Sequence, residues 1–288
     1  MKDAWGRTIE YVRLSLTDAC NFCCPYCRPA EITPQSQTQL LSVDEWMTIL
    51  GAFHRIGVKA VRLTGGEPLL YPYIEELLER IKATGWFEDI SMTTNGSLLS
   101  SRAQRLKKLG LNRVNISLDS LESEAFATCV GKEGQLESVL EGVRSAINAN
   151  FKSVKINTVL SRHVSDDEVK SLIQYVEKWP VVWRFIEYMP FQGDAFHGPT
   201  FDEWKAQLER VSGGPLTEVH SVYGFGPATY LALPSGKAIG FIFSMSHSYC
   251  DTCNRVRLTS DGQMRLCLLR DDEADLVSLV RNGVTEED

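Results

Sequence analysis

The stretch Cys20-Asn21-Phe22-Cys23-Cys24-Pro25-Tyr26-Cys27 places four cysteines within eight residues, directly after the apolar run Tyr11 to Leu16. Cys20, Cys24 and Cys27 follow the spacing C-x3-C-x2-C. Thiolates are the usual ligands of iron–sulfur clusters. Because a [4Fe–4S] cube has four irons, three cysteines leave one iron open to a small molecule. The spacing therefore favours a cluster that binds a ligand.

Zinc and disulfide interpretations of these cysteines remain open. Zinc normally has four ligands in a closed site, often from two C-x2-C pairs, and Cys20 with Cys23 and Cys24 with Cys27 imitate such pairs. The two pairs lie closer together than in a ribbon or finger. Seven of the eight cysteines lie in two tight groups, which argues for metal rather than disulfides. Cys129 stands alone in a predicted helix and is interpreted as a small buried apolar residue.

Composition excludes several classes of function. The 288 residues carry a net charge of −7 without a basic block, which disfavours binding to nucleic acid or membrane surfaces by bulk electrostatics. No apolar run approaches the roughly 20 residues of a membrane-spanning helix. The N-terminal residues 1–5 do not resemble a signal peptide. We therefore expect a cytoplasmic protein whose thiols stay reduced.

An alternation of strands and helices fills residues 1–190. Apolar runs predict six strands, separated by helical patterns, at 11–16, 58–63, 89–93, 113–118, 153–160 and 182–188. Such alternation indicates parallel strands with helices outside. Six units are fewer than the eight of a closed TIM barrel, so the prediction is an α/β fold with a partial, TIM-like (βα)6 barrel. Active sites of such sheets lie at the carboxyl ends of the strands.

Residues 191–288 follow another pattern and are predicted to form a small α+β extension. A loop with Gly and Pro at 191–200 precedes a helix at about 202–211. Short strand-like runs at 218–223, 228–233 and 238–243 predict a small appended sheet.

Polar motifs lie at the predicted strand ends. Thr64-Gly65-Gly66-Glu67-Pro68 follows the second strand, and a Gly-Gly turn lets a ligand approach the backbone closely. Ser117 ends the fourth strand and Met189 the sixth. Taken singly, these residues also fit a turn, a strand-end hydroxyl and a core methionine.

A second cysteine group lies in the extension, as Cys250-x2-Cys253-x13-Cys267. It supplies three thiolates, and a Cys3His zinc site with His247 is the alternative to a second cluster. Arg255 and Arg257 lie between these cysteines, and two arginines can hold phosphate groups through paired hydrogen bonds. Surface arginines on a strand are the other interpretation.

Together, these motifs resemble a known family. The cysteine motif, with Tyr26 as its aromatic residue, and the Gly-Gly-Glu-Pro motif resemble those of radical S-adenosylmethionine (SAM) enzymes. The second cysteine group, with N-R-x-R-L-T-x-D-G beginning at Asn254, resembles the GTP 3′,8-cyclases, the molybdenum cofactor biosynthesis protein A family. The resemblance covers residues 3 to about 285 and also rests on segments 93–96, 115–119, 184–189 and 226–228.

The resemblance implies a set of site residues. It assigns Cys20, Cys24 and Cys27 to a first [4Fe–4S] cluster whose open iron binds SAM, and Cys250, Cys253 and Cys267 to a second whose open iron binds guanine. The residues implied to contact SAM are Tyr26, Gly66, Ser117 and Met189. Those implied to bind GTP are Arg13, Arg62, Thr93, Lys155, Arg255, Val256 and Arg257. Alternation along the strands makes inward-facing cations plausible, and a triphosphate would supply their anionic partner.

The resemblance also implies an activity and partners. The SAM-derived radical would take the 3′ hydrogen of GTP, and the carbon radical would attack guanine C8, a lyase reaction of molybdopterin biosynthesis with no catalytic side chain. Implied partners are a flavodoxin or ferredoxin as electron donor, cyclic pyranopterin monophosphate synthase downstream, and a second copy of the chain in a homodimer.

Two features depart from the family pattern. Family chains run further and end in a Gly-Gly tail, whereas this sequence stops at Asp288, so it is expected to be truncated, incomplete or a paralogue. The family's Thr-Asp-Arg-Cys is Thr17-Asp18-Ala19-Cys20 here. Two alternatives follow: a two-cluster enzyme acting on another nucleotide or a peptide, and an inactive metal-binding relative.

Overall fold

The computed structural model describes residues 2, 6–27, 40–189, 198–219, 224–267 and 273–285. The predicted loop at 191–200 therefore falls largely outside the described residues. All six predicted strands are confirmed, with ends within two residues of those expected. They are β1 (Tyr11–Ser15), β2 (Ala60–Thr64), β3 (Asp89–Thr94), β4 (Arg113–Ser117), β5 (Ser153–Val159) and β6 (Val182–Ile186).

Helices connect these strands, and several begin with a reciprocal cap. The first helix begins with a capping box, since Glu45 N donates to Ser42 Oγ (3.2 Å) and Ser42 N to Glu45 Oε2 (2.7 Å). The helices are α1 (Val43–Arg55), α2 (Ile74–Thr84), α3 (Ala103–Lys108), α4 (Ser123–Val130), α5 (Leu136–Asn148), α6 (Asp166–Lys178), α7 (Phe201–Ser212) and α8 (Leu276–Arg281). None of these described helices is long and apolar enough to cross a membrane.

The C-terminal strands extend the barrel's own sheet. They are β7 (Thr217–Glu218), β8 (Thr229–Ala232), β9 (Ala238–Ile242), β10 (Arg255–Leu258), β11 (Gln263–Arg265) and β12 (Glu273–Asp275). The sheet order is β12-β11-β10-β1-β2-β3-β4-β5-β6-β9-β8-β7. β8 and β9 lie within the predicted strand-like runs 228–233 and 238–243, and they are appended to the barrel's sheet through the pairing of β9 with β6. β9 pairs in parallel with β6, and β10 in parallel with β1, which gives the backbone groups at both barrel edges their hydrogen-bond partners.

The result is an open barrel, as predicted. Eight neighbouring strands, from β10 through β1–β6 to β9, are parallel, and antiparallel strands continue the sheet at each end. Within the described residues, β7 and β12 are sheet edges that do not pair with each other.

The two faces of this sheet differ in character. The outer face packs against the helices and is apolar, with Val12, Leu14, Leu63 and Ile116 fully buried in one core cluster. The inner face carries charged and polar side chains at alternate positions. Parallel strands buried on both faces are normally apolar throughout. The polar inner face therefore marks the interior of the barrel as the functional region.

Candidate active site at the carboxyl ends of the strands

The first cysteine loop follows β1 at the carboxyl edge of the sheet. Its four cysteines are free thiols, with Cys20 and Cys24 partly buried and Cys23 and Cys27 exposed. Phe22 is buried and packs edge-on against Phe126 of α4, with ring centroids 6.3 Å apart. The core thus anchors the loop between the first two predicted ligands.

Backbone contacts hold this loop against the Gly-Gly turn after β2. Gly66 N donates to Thr17 O (2.6 Å), and Glu67 N donates to Ala19 O (2.8 Å). A Cβ atom on Gly66 would lie 2.4 Å from Ala19 O, closer than any real contact. Glycine is therefore required at position 66 even without a ligand, because the backbone of the cysteine loop packs directly against it. Gly66 itself remains exposed, as a ligand contact requires.

The buried carboxylate of Glu67 joins the loops after β2 and β3. Its Oε1 accepts from Leu69 N (3.0 Å) and Thr94 Oγ1 (2.7 Å), and its Oε2 accepts from Asn95 N (2.7 Å). Burial raises the pKa of this carboxyl group above its usual value. Glu67 was visible in the sequence as part of a motif, but its structural role was not foreseen.

An amide network connects the third strand end to the cysteine loop. Asn95 Nδ2 donates to Asn21 Oδ1 (2.8 Å), and Asn21 Nδ2 donates to Ser97 Oγ (2.9 Å). Asn95 Nδ2 also lies 3.9 Å from Cys20 Sγ. The thiol of Cys20 therefore faces a fixed hydrogen-bond donor. The polar run Thr93–Gly96 at a strand end was the only sequence signal for this network.

Tyr26, the aromatic residue of the cysteine motif, is held by a residue that sequence analysis did not assign. Its Oη donates to Asp119 Oδ2 (2.7 Å), while Asp119 Oδ1 accepts from Val159 N (2.8 Å). Burial raises the pKa of Asp119 to about 6. Asp119 lies two residues after Ser117. The turn after β4 therefore carries one predicted SAM contact, Ser117, and the residue that binds another predicted contact, Tyr26.

The four residues that the resemblance assigns to SAM all follow strands at one edge of the sheet. Tyr26 follows β1, Gly66 follows β2, Ser117 ends β4 and Met189 lies three residues after β6. Both Ser117 and Met189 are partly exposed.

A row of arginines crosses the inner face at one level. In the strand register Arg13 is opposite Arg62 on β2 and Arg257 on β10, and neighbouring strands lie about 4.8 Å apart. Burial lowers the pKa of Arg13, and Arg257, Arg62 and Arg255 lower it further. In the described part of the chain, Arg13 Nε is buried without a hydrogen-bond partner. Adjacent buried cations are unfavourable until an anion joins them.

Arg184 adds further positive charge on the opposite side of the interior, and Lys155 lies close enough to it for the two groups to interact electrostatically. Burial, together with the nearby Arg184 and Arg62, lowers the pKa of Lys155 to about 6. Arg184 is buried and donates to Asn157 Oδ1 (2.6 and 2.9 Å) and Asn115 Oδ1 (3.0 Å). Asn115 in turn donates to Thr93 Oγ1 (3.3 Å). Thr93 and Lys155 both lie opposite Asn115 in the strand register, so the three residues share one level of the sheet.

The second cysteine group flanks the hairpin of β10 and β11. Cys250 is exposed at the start of a 3₁₀ turn, where Cys253 N donates to Cys250 O (3.2 Å), and Cys253 and Cys267 are partly buried. Arg255 donates to Tyr249 Oη (2.9 Å), and its guanidinium lies 5.2 Å from the centre of that ring. Arg255 is therefore held against the turn that carries Cys250.

Val256 does not join the arginines on either side of it. Its side chain is 1% exposed and belongs to the apolar core on the outer face. Because side chains alternate along a strand, Arg255 and Arg257 face the interior while Val256 faces away. A side-chain contact between Val256 and a ligand is thus excluded, and only its backbone groups remain available.

The donor set at both groups consists of free thiols, which fits iron–sulfur clusters. Burial raises the pKa of Cys24, and the neighbouring Asp119, Cys27 and Cys20 raise it further, so the three thiols of the motif interact electrostatically. Among the described residues, no three His, Cys, Asp or Glu side chains converge on one metal ion. In a [4Fe–4S] cube each thiolate binds a different iron, so the three sulfur atoms lie further apart than the ligands of a single metal ion. His247, the fourth ligand of the zinc alternative, lies against Phe201 with ring centroids 4.8 Å apart.

Comparison with family models divides the chain between α6 and β6, at the end of the fifth strand–helix unit. Residues 14–176 match the radical SAM superfamily, and residues 181–288 match Molybdenum Cofactor Synthesis C.

Full-length relatives are similar along the whole chain. A GTP 3′,8-cyclase of Pelotomaculum thermopropionicum is 39% identical over 98% of this chain and 88% of its own length. One from Moorella thermoacetica is 38% identical over 99% of this chain and 89% of its own length. Molybdenum cofactor biosynthesis protein 1 of Mus musculus is 37% identical, and the match covers 46% of that longer protein.

Solved structures share the fold at low sequence identity. Streptococcus suis SuiB bound to S-adenosylmethionine superposes with a TM-score of 0.71 at 15% identity, over 94% of this chain and 64% of that chain. A structure of anSMEcpe with bound AdoMet gives a TM-score of 0.64 at 14% identity, over 95% of this chain and 79% of that chain.

Proposed function

The chain belongs to the radical SAM superfamily and, within it, to the GTP 3′,8-cyclase family, and from this we propose that it converts GTP to 3′,8-cyclo-7,8-dihydro-GTP. In this proposal the enzyme acts as a lyase in the first step of molybdenum cofactor biosynthesis. Cys20, Cys24 and Cys27 would hold the reduced first cluster, which with bound SAM would supply the 5′-deoxyadenosyl radical chemistry that the conversion needs.

The observation that carries the substrate assignment is the buried positive charge of the barrel interior. Arg13, Arg62 and Arg257 are neighbours across three strands, and Lys155 lies in the same interior. The chain as a whole has a net charge of −7, so long-range attraction does not explain anion binding. A ligand with about four negative charges, such as a triphosphate at neutral pH, satisfies this local cluster.

Each thiol group has its own role in the proposal. Cys20, Cys24 and Cys27 hold the cluster that binds SAM, whose contacts are Tyr26, Gly66, Ser117 and Met189. The backbone contacts at Gly66 and the bond from Tyr26 to Asp119 support this assignment, because they give the pocket fixed walls.

The second group holds the substrate's base in this proposal. Cys250, Cys253 and Cys267 bind a second [4Fe–4S] cluster, whose open iron binds guanine. Arg257 follows Cys253 by four residues and faces the same interior as Arg13, which would allow one nucleotide to reach both the cluster and the arginine row. Thr93 and Arg255 complete the proposed GTP contacts.

The proposal divides the chain into a barrel at residues 1–190 and a substrate-binding extension at 191–288. Because the extension continues the barrel's sheet, the two parts would move as one body. A flavodoxin or ferredoxin as electron donor, cyclic pyranopterin monophosphate synthase acting on the product, and a homodimer complete the proposal.

Anaerobic reconstitution with iron and sulfide, followed by incubation with SAM, GTP and a strong reductant, tests the activity. We expect about eight irons per chain and one equivalent of 5′-deoxyadenosine for each cyclic product. About four irons with stoichiometric zinc would contradict the second cluster. Cleavage of SAM with no product from GTP would contradict the cyclase assignment. Parallel assays with ATP and CTP test the alternative of another nucleotide.

A further inference from the structure

We propose that Glu187 and the pair Asp18–Ser260 are positioning residues that fix the second cysteine group relative to the first. This inference rests on the proposed function, since it concerns how bound SAM and bound GTP are held at fixed positions relative to each other. None of the three residues belongs to the cysteine, SAM or GTP sets assigned above.

Glu187 anchors the chain that enters the second cysteine group. It is 7% exposed and directly follows β6. Its Oε2 accepts from Met245 N (2.6 Å), and both carboxylate oxygens accept from Ser246 N (3.0 and 3.1 Å). A buried carboxylate that binds two consecutive amides fixes the path of that segment, because the unmade bonds would be costly. Cys250 lies four residues after Ser246.

Asp18 anchors the other side of the same group. Ser260 is 1% exposed, and its Oγ donates to Asp18 Oδ1 (2.7 Å) across 242 positions of sequence. Ser260 lies in the turn between β10 and β11, so it is flanked by Cys253 and Cys267 in sequence. The hairpin that carries these two cysteines is thereby attached to the loop that carries the first group.

The positions of the two carboxylates explain what the anchors accomplish. Asp18 lies two residues before Cys20, and Glu187 lies two residues before Met189. Each anchor therefore joins a segment of the proposed SAM site directly to a segment of the proposed substrate site. Hydrogen transfer to a carbon radical requires near-contact of the reacting atoms, and misplacement by about 1 Å is enough to lower a rate by about a hundredfold.

The chain offers variants that separate this role from general stability. Glu187→Gln keeps the shape but places an amide group against a backbone amide, and Ser260→Ala removes one hydroxyl without altering the first cysteine loop. Asp261→Ala is the matched control in the same turn, because Asp261 pairs locally with Thr259. Glu209→Gln is the control in the extension, since its carboxylate accepts from Leu216 N (2.9 Å) and joins no cofactor segments.

The decisive readout is the ratio of SAM cleaved to cyclic product formed in the fully reconstituted protein. We expect Glu187→Gln and Ser260→Ala to retain SAM cleavage while the ratio rises by about tenfold each, the effect of losing about 1.4 kcal/mol of positioning energy. The two controls should keep the parent ratio. Unchanged ratios in both anchor variants would overturn the inference.

A second readout does not depend on activity. Hydrogen exchange of the reconstituted parent should show protected amides at Met245 and Ser246, and Glu187→Ala should lose that protection while residues 11–15 stay protected. Exchange that is equally slow in parent and variant would also overturn the inference. If the parent cleaves SAM but forms no cyclic product, the proposed function fails, and the exchange measurement still decides whether the anchor exists.

Discussion

The two cysteine groups contain similar ligands but are held by different kinds of contact. The first group follows β1, which lies inside the parallel sheet, and backbone hydrogen bonds to the Gly-Gly turn fix its loop. The second group flanks β10 and β11, towards one end of the sheet. Backbone pairing with β1 holds β10, and the side chains of Glu187 and Ser260 join the flanking segments to the region of the first group.

This difference shows which contacts around the two groups can be substituted without disturbing the sheet. A backbone contact at a glycine tolerates almost no substitution, because a Cβ atom on Gly66 would overlap Ala19 O. Contacts made by side chains can be exchanged one at a time without unfolding the strands. In the proposed function the first group is required for all chemistry, whereas the second determines which substrate is used.

The largest expected effect is at Cys24. Cys24→Ala should abolish SAM cleavage and remove about half of the iron, because two thiolates hold a cube poorly. Cys23→Ala is the matched control, since its backbone N donates to Val130 O (3.0 Å) whatever the side chain, and its thiol lies outside the motif spacing. Iron analysis and the yield of 5′-deoxyadenosine check both variants. Loss of the cluster in Cys23→Ala with retention in Cys24→Ala would reverse the ligand assignment.

Cys253→Ala probes the other side of the comparison. It should retain SAM cleavage without coupling to product, while GTP affinity and cyclisation are lost, because the two groups bind different ligands. The measurements are 5′-deoxyadenosine and cyclic product in the same reaction, with GTP binding measured by calorimetry. If GTP binds this variant as tightly as the parent, guanine does not bind the second cluster.

Much of the fold was accessible from sequence because the signals were local. Each strand–helix unit has its own apolar periodicity, so all six strands were found within two residues. The pairing of the C-terminal strands was not accessible in this way. Short runs such as 238–243 resemble an independent meander, and nothing local indicates that β9 pairs with β6 or that β10 pairs with β1. Register across such sequence separations is set by the tertiary structure.

The sequence predicted those residues of the candidate site that belong to recognisable motifs. Cysteine spacing and strand-end residues identified the edge of the sheet, but supporting residues such as Asp119, Asn95 and Glu187 had no spacing of their own. The juxtaposition of Arg13 with Arg257 also required the register. Strand alternation places the Val256 side chain on the opposite face from Arg255 and Arg257, so a contact between Val256 and GTP would come from its backbone groups.

Arg257 tests how the ligand connects the two regions. A charge-assisted hydrogen bond contributes roughly 1.5–3 kcal/mol, so Arg257→Ala should weaken GTP binding by roughly ten- to a hundredfold. Guanosine, which has no phosphate, should bind parent and variant equally. Calorimetry with both ligands makes the comparison, and iron content verifies that the clusters are intact. An equal loss for GTP and guanosine would show that Arg257 does not recognise phosphate.

The smallest expected effect is the uptake of a proton by Lys155, which lies on the far side of the interior from Arg257. With a pKa of about 6, Lys155 is mostly neutral at pH 8 in the ligand-free protein. A triphosphate nearby favours the charged form and should return the pKa towards about 10.4. GTP binding at pH 8 should therefore take up as much as about one proton, because the last phosphate ionisation, near pKa 6, is already complete.

The sign of this effect distinguishes ligand binding from folding. In the ligand-free protein the depressed pKa means that the folded state holds fewer protons than the unfolded state between about pH 6 and 10, so stability decreases as pH falls through that window. GTP affinity should change in the opposite direction and weaken as pH rises above about 6, since binding requires the proton. Calorimetry at pH 8 in buffers of different ionisation enthalpy measures the uptake, and Lys155→Met should abolish it. Equal binding enthalpies in all buffers would mean that Lys155 does not change its protonation state when GTP binds, which would contradict the prediction that the triphosphate raises its pKa.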